Sequence, residues 1–152
     1  MIELKFHRLY PDATLPRRWS EESVGYDLHA YSVSETGRPL KRLIPPHSTQ
    51  NISTGLAIEP PSGYFVMVCS RSGLAKLSIM VANGPGIIDP DYRGEVKVLL
   101  YNGGFQSYYV QHEDRIAQLV VVPVTSISIV ESEALSETGR GAKGFGSTGG
   151  LG

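Results

Sequence analysis

Asp89 stands in the run "NGPGIIDPDYRGEV", residues 83–96, where glycines and prolines alternate with acids just before a β-forming stretch. Gly84, Pro85, Gly86 and Pro90 favour tight turns, so Asp89, Asp91, Tyr92 and Arg93 crowd onto one short segment. A carboxylate fixed on such a hairpin can accept a proton from water as a general base. The hairpin backbone can meanwhile present donors and acceptors to a ligand. The same letters also make an ordinary surface hairpin.

Four other groups could carry chemistry. Asp27, in "SVGYDLHA" (residues 23–30), is set among Gly25, Tyr26 and Leu28. A carboxylate there can orient waters on a metal or pair with an arginine. "SRSGLAK" (70–76) places Arg71, Ser72 and Gly73 at the start of a short helical turn, where exposed N–H groups suit an anion. A plain helix start has the same composition. "EDRIAQLV" (113–120) puts Asp114, Arg115 and Gln118 at the beginning of a buried strand. Last comes "ETGRGAKGFGSTGGLG", residues 137–152, nearly half glycine, with Arg140, Lys143, Phe145, Ser147 and Thr148. A phosphate-binding P-loop is excluded there, because Ser147 stands where the lysine is required and no helix follows. A glycine-rich arm can still wrap a phosphate with backbone N–H groups, hydroxyls and Arg140. Taken alone, it reads first as a loose end.

The elements that must position these groups are β-strands. "IELKFHRL", "QNISTGLAIEP", "GYFVMVCS", "GEVKVLLYN" and "RIAQLVVVPVTSISIV" are β-forming, and the second half of the last alternates. Only "RSGLAKLS" is briefly helical. Many short strands in 152 residues with no internal linker predict one all-β domain, a sandwich, jelly roll or barrel. A net charge of −1 provides no global field to draw nucleic acid or a membrane surface. No run reaches the ~20 apolar residues of a transmembrane helix, and the N-terminus lacks a signal peptide's apolar block. The lone Cys69, inside "YFVMVCS", is expected in the core of a protein from a reducing compartment. An intracellular, soluble, cytoplasmic protein is the expectation.

Taken in order, "SVGYDLHA", "SRSGLA", "NGPGIIDPDYRGEV", "DRIAQLV" and "RGAKGFGSTG" resemble the five motifs of the trimeric deoxyuridine triphosphatase (dUTPase) family, from about residue 23 to 149. The resemblance implies a distorted jelly roll of the β-clip type over residues 1–136. It also implies a flexible arm, 137–152, that closes over the active site, and a homotrimer with sites shared between subunits. The implied reaction is Mg2+-dependent hydrolysis of dUTP to dUMP and pyrophosphate, which keeps uracil out of DNA and supplies dUMP for thymidylate synthesis. No nucleic-acid or membrane partner is implied.

Residue by residue, Asp89 matches the general base and Tyr92 the tyrosine under the deoxyribose. Asn83 and the backbone of 84–89, including Gly86 and Ile88, match the hairpin that reads uracil. Asp27 matches the acid that holds waters on the magnesium. Arg71, Ser72 and Gly73 match the phosphate-binding second motif, and Gln118 a residue near the α-phosphate. Arg115 braces the acids by ion pairing. Arg140, Gly146, Ser147 and Thr148 fall in the phosphate-clasping fifth motif, with Phe145 stacking on the base. The sequence departs from the usual pattern at Val24, at Cys69-Ser70 and at Glu113, where glycine is usual. A deaminase of dCTP with the same fold carries a Glu two residues before a Tyr-Asn pair. Here Leu99 precedes Tyr101-Asn102, which argues against deamination. A non-catalytic nucleotide-binding module is disfavoured by the intact Asp27, Asp89, Arg140 and Phe145.

Overall fold

The computed structural model describes residues 2–144. Among them are ten strands and one helical turn: β1 (Lys5–Arg8), β2 (Tyr26–His29), β3 (Lys41–Ile44), β4 (Ser48–Glu59), β5 (Tyr64–Cys69), α1 (Ser72–Ala75), β6 (Ile79–Val81), β7 (Gly86–Ile88), β8 (Glu95–Asn102), β9 (Tyr108–Gln111) and β10 (Arg115–Pro123). All pairings between these strands are antiparallel. They form two four-stranded sheets, β1-β4-β8-β6 and β2-β10-β5-β7, with a β3-β9 ribbon. The fold is a jelly roll, as the strand-rich pattern leads one to expect. No helix among the described residues is long and apolar enough to cross a membrane.

Period-two patterning explains which residues meet. On β8, Val96, Val98 and Leu100 are buried while Lys97 and Leu99 face outward. Ile52 of β4 lies directly opposite Val98, so the two strands turn the same register to the one buried face of their sheet. Opposing residues come from the other sheet: Leu28, Val66, Val68, Ala117 and Leu119. Each fully buried aliphatic side chain contributes about 1.5–3 kcal/mol. Asn102 is buried too, and its polar groups are satisfied. Its Nδ2 donates to Ile44 O and Gln106 O, and its Oδ1 accepts from Gly104 N–H. That Asn therefore pins the β8–β9 turn.

Three sequence expectations are corrected here. The run "RIAQLVVVPVTSISIV" is a strand only as far as Pro123. Pro123 pairs with Tyr64, the first residue of β5, and after Val124 N–H meets Gly63 O the partner strand is exhausted. Ile127, Ile129 and Val130 are accordingly exposed. Cys69 is half-buried rather than core. Val66 and Val68 take the inner face of β5, and alternation turns Cys69 to the other. Finally, five β-forming runs become ten strands, because five segments of three or four residues are too short to show a period.

Glu113 answers the question raised by its missing glycine. It adopts φ +66, the left-handed conformation, so the turn is retained with a side chain in it. Glu113 N–H donates to Ala30 O, Ala30 N–H to Asp114 O, and Gln111 N–H to Asp114 Oδ2. These bonds hold a conformation that costs a non-glycine residue about 1–2 kcal/mol.

Candidate active site

The sheet β2-β10-β5 brings Asp27 opposite Gln118, and Gln118 opposite Cys69. Three of the predicted groups thus gather at one end of the sheet. Asp27 Oδ1 accepts from Arg71 Nε at 2.9 Å, and Oδ2 from Arg115 Nη1 at 3.3 Å. Arg71 Nη1 also donates to Arg115 O at 3.1 Å. A guanidinium carries five N–H donors, so Arg71 keeps donors for an anion after making these two bonds. One carboxylate between two guanidiniums leaves the cluster net positive, the sign a phosphate chain needs.

Supporting contacts orient the rest of this cleft. Gln118 Nε2 donates to Ser70 O at 3.1 Å, and Ser70 Oγ accepts from Val81 N–H at 2.8 Å. Ser70, part of the Cys69-Ser70 departure, therefore ties the end of β5 to β6. A Cβ at Gly25 would meet the Gln118 side-chain amide, so the glycine just before β2 leaves room for that side chain in the place it occupies. A cavity of about 430 Å³ is lined here by Trp19, Asp27, Arg71, Ser72, Gly73 and Gln118. Val24, the other departure, is an exposed residue of its rim.

The hairpin of residues 83–96 forms a second site. Gly86–Ile88 pairs with β5, placing Gly86 against Val68, and the Gly84–Pro85 peptide is cis. Asn83, Gly86, Ile88, Asp89, Tyr92 and Leu99 line a cavity of about 190 Å³. Asn83 and Asp89 are exposed at its rim. Tyr92 is fixed at both ends: its N–H donates to Asp89 O at 3.1 Å and its hydroxyl to Glu95 O at 2.9 Å. A side chain at Gly94 would overlap the Tyr92 ring, so glycine allows the ring to lie on the chain. Arg93 Nη1 closes the turn on Pro90 O and Tyr92 O, each at 2.8 Å.

These two cavities share no lining residue. β2 and β7 are separated by three strand spacings, roughly 14 Å at ~4.8 Å each. Within one chain, then, Asp89 lines one cavity and Asp27, Arg71 and Gln118 the other. Arg140 lines neither. It lies in an exposed turn with its Nε donating to Lys143 O. Phe145, Gly146, Ser147 and Thr148 lie outside the described residues, so the arm over 137–152 is described only in part. A larger cavity of about 660 Å³, walled by Leu4, Phe6, Tyr26 and Val121, holds none of the predicted site residues.

Two contributors, Trp19 and Lys97, escaped the sequence reading, and Leu99, weighed there only against deamination, joins them. Trp19 joins the phosphate-type cleft, and Leu99 and Lys97 line the hairpin cavity. An aromatic amid "PRRWSEE" was the available signal for Trp19. The outward positions of β8 were the signal for the other two. Behind Asp27, buried His29 lies on the same strand with Nδ1 unpartnered among the described residues. Burial is the main cause of its lowered pKa. Asp27 opposes that shift, Arg17 and Arg115 add to it, and Glu113 opposes it.

Among the described residues no three His, Cys, Asp or Glu side chains cluster as a cation cage. Asp27 is the acid in the cleft, and both its oxygens already accept from arginines. That donor set suits holding metal-bound water better than direct ligation, and Mg2+ usually keeps several of its waters.

The dUTPase family model matches residues 11–149. The deoxyuridine 5'-triphosphate nucleotidohydrolase of Nautilia profundicola is 46% identical over 149 residues, covering 97% of this chain and 99% of that protein. A mutant Staphylococcus bacteriophage 80alpha dUTPase, solved with dUpNHpp, superimposes with TM-score 0.85 at 25% identity, covering 97% of this chain and 98% of that one. A mutant dUTPase from phage phi11 of S. aureus, described with a structural Mg(II) ion, shares the fold at TM-score 0.77 and 21% identity, over 89% and 99% of the chains.

Proposed function

The chain belongs to the dUTPase family, and on that premise we infer that it hydrolyses dUTP to dUMP and pyrophosphate at sites shared between subunits. The observation that carries the shared site is the division of the predicted residues between two cavities of one chain. A hairpin from one subunit facing the cleft of another reunites them, and a closed homotrimer repeats that contact three times. The outer face of the β1-β4-β8-β6 sheet supports association, since Leu99 of β8 and Met80 of β6 are exposed there on neighbouring strands.

In this reading Asp89 accepts the proton of a water as its oxygen bonds the α-phosphorus. The bond from that phosphorus to the bridging oxygen breaks, and pyrophosphate leaves with the electron pair. Arg71, Ser72 and Gly73 bind the phosphate chain, and Gln118 the α-phosphate. Asn83 and the backbone at Gly86 and Ile88 read the uracil edge, while the Tyr92 ring closes the space a ribose 2′-hydroxyl would need. Groups built to bond one base leave buried polar atoms unpaired with another, which discriminates strongly. Arg140, Ser147 and Thr148 with the Gly146 backbone meet the γ-phosphate, and Phe145 stacks on the base. Asp27 would hold Mg2+ through water; the ion, when bound, supplies charge neutralisation along the triphosphate.

Deamination of a cytosine nucleotide is disfavoured by Leu99, which lines the hairpin cavity with an apolar side chain where an acid would be needed. Release of pyrophosphate, measured in parallel from dUTP, dCTP, dTTP and UTP with Mg2+, tests the proposal. Substantial release from dUTP alone is expected. Equal hydrolysis of all four would refute the hairpin's role, and ammonia from dCTP would favour the deaminase.

A further inference from the structure

Trp19 is the one tryptophan of the chain, and it is 73% exposed. So large an aromatic usually hides most of its surface. Its ring instead covers a cation: the Arg115 guanidinium carbon lies 4.9 Å from the ring centroid, and that of Arg17 6.0 Å. Arg115 opens β10 at a register shift against β2, where a bulge brings its side chain to the face that carries Asp27. The side chain is long and partly exposed, and its bond to Asp27 is the longer of the two that orient this acid. Without a cover, such an arginine samples solvent-facing rotamers.

We propose that Trp19 is a positioning residue: by carrying Arg115 on its face, it keeps Asp27 oriented between two arginines and the cleft shaped for a triphosphate. The ring has a specific advantage over a second acid. A carboxylate would hold Arg115 equally well but would cancel its charge, whereas the quadrupole of an indole holds the cation and leaves the cleft positive. This assignment rests on the cleft being the triphosphate subsite.

The sole indole makes the contact observable without turnover. Arg115→Ala should change the intrinsic emission of Trp19 in the nucleotide-free protein; an identical spectrum would overturn the stack. In steady-state assays Trp19→Leu should raise KM for dUTP about three- to fivefold, the size of an exposed cation–π contact, with kcat within about twofold. Trp19→Phe, which restores an aromatic face, should recover most of that loss. In an Arg115→Ala background Trp19→Leu should add nothing further. A wild-type KM for Trp19→Leu, a Phe variant no better than Leu, or equal effects in both backgrounds would overturn the proposal. Absence of dUTP turnover in the unaltered protein would instead count against the proposed function, and the emission spectra would still decide the stack.

Discussion

At the scale of single residues, the proposed chemistry rests on a few side chains whose surroundings differ sharply. Asp89 sits exposed on a braced hairpin, whereas Asp27 is nearly covered by two arginines. The exposed acid can meet a water; the enclosed one serves as a fixed acceptor. If Asp89 is the base, as proposed, Asp89→Asn preserves shape and removes it, so kcat should fall by about 10²-fold or more with KM little changed. A fall of less than about 10-fold would remove Asp89 from that role. His29 gives a second test. Its folded pKa lies below the ordinary 6.5, so between those values the unfolded chain binds more protons than the folded one. Stability is therefore complete above about pH 6.5 and declines as the pH falls below it. Denaturation midpoints across pH 5–8 should show that slope, and His29→Gln should flatten it; the same slope in both proteins would rule His29 out.

At the scale of elements, the hairpin 83–96 is held by backbone bonds and by what its glycines omit. Gly94 leaves room for the Tyr92 ring, whose hydroxyl is anchored on Glu95 O. Gly94→Ala should push that ring off its seat while leaving the identity of every proposed ligand-facing side chain unchanged. The ratio of UTP to dUTP turnover should then rise, in the same direction as for Tyr92→Ala. An unchanged ratio in both variants would refute the sugar-gate role. Much of this element was legible beforehand, since turn residues and the Asp-Tyr spacing are local properties. The strand within it, Gly86–Ile88, was not, because three residues acquire β structure only by pairing with β5. The reverse holds for residues 124–130, whose alternation promised a strand that the end of β5 leaves without a partner among the described residues.

At the scale of the molecule, two cavities in one protomer lead to a prediction about assembly. Mass in solution should be three times the 16.5 kDa of one chain. Asp89→Asn disables the acid of the hairpin, and Asp27→Asn the acid of the cleft, each leaving the other half intact. If the two halves of a site come from different chains, equal mixing of the two inactive variants with subunit exchange should restore about a quarter of wild-type activity, because that share of sites draws both halves intact. No recovery from a verified mixed trimer would show that each site lies within one chain.

What the sequence determined by itself was the inventory: an all-β chain, five ordered motifs, and the residue types for binding a nucleotide triphosphate. These are readable because turn chemistry, alternation and motif spacing are local along the chain. The tertiary structure alone decided who touches whom. It gave Asp27 to Arg71 and Arg115 across 44 and 88 residues of sequence, kept the Glu113 turn without its glycine, and set Trp19 over Arg115. It also kept Asp89 in a cavity apart from Asp27. Such contacts depend on strand register and sheet order, which arise only when distant segments pair and bury a common core.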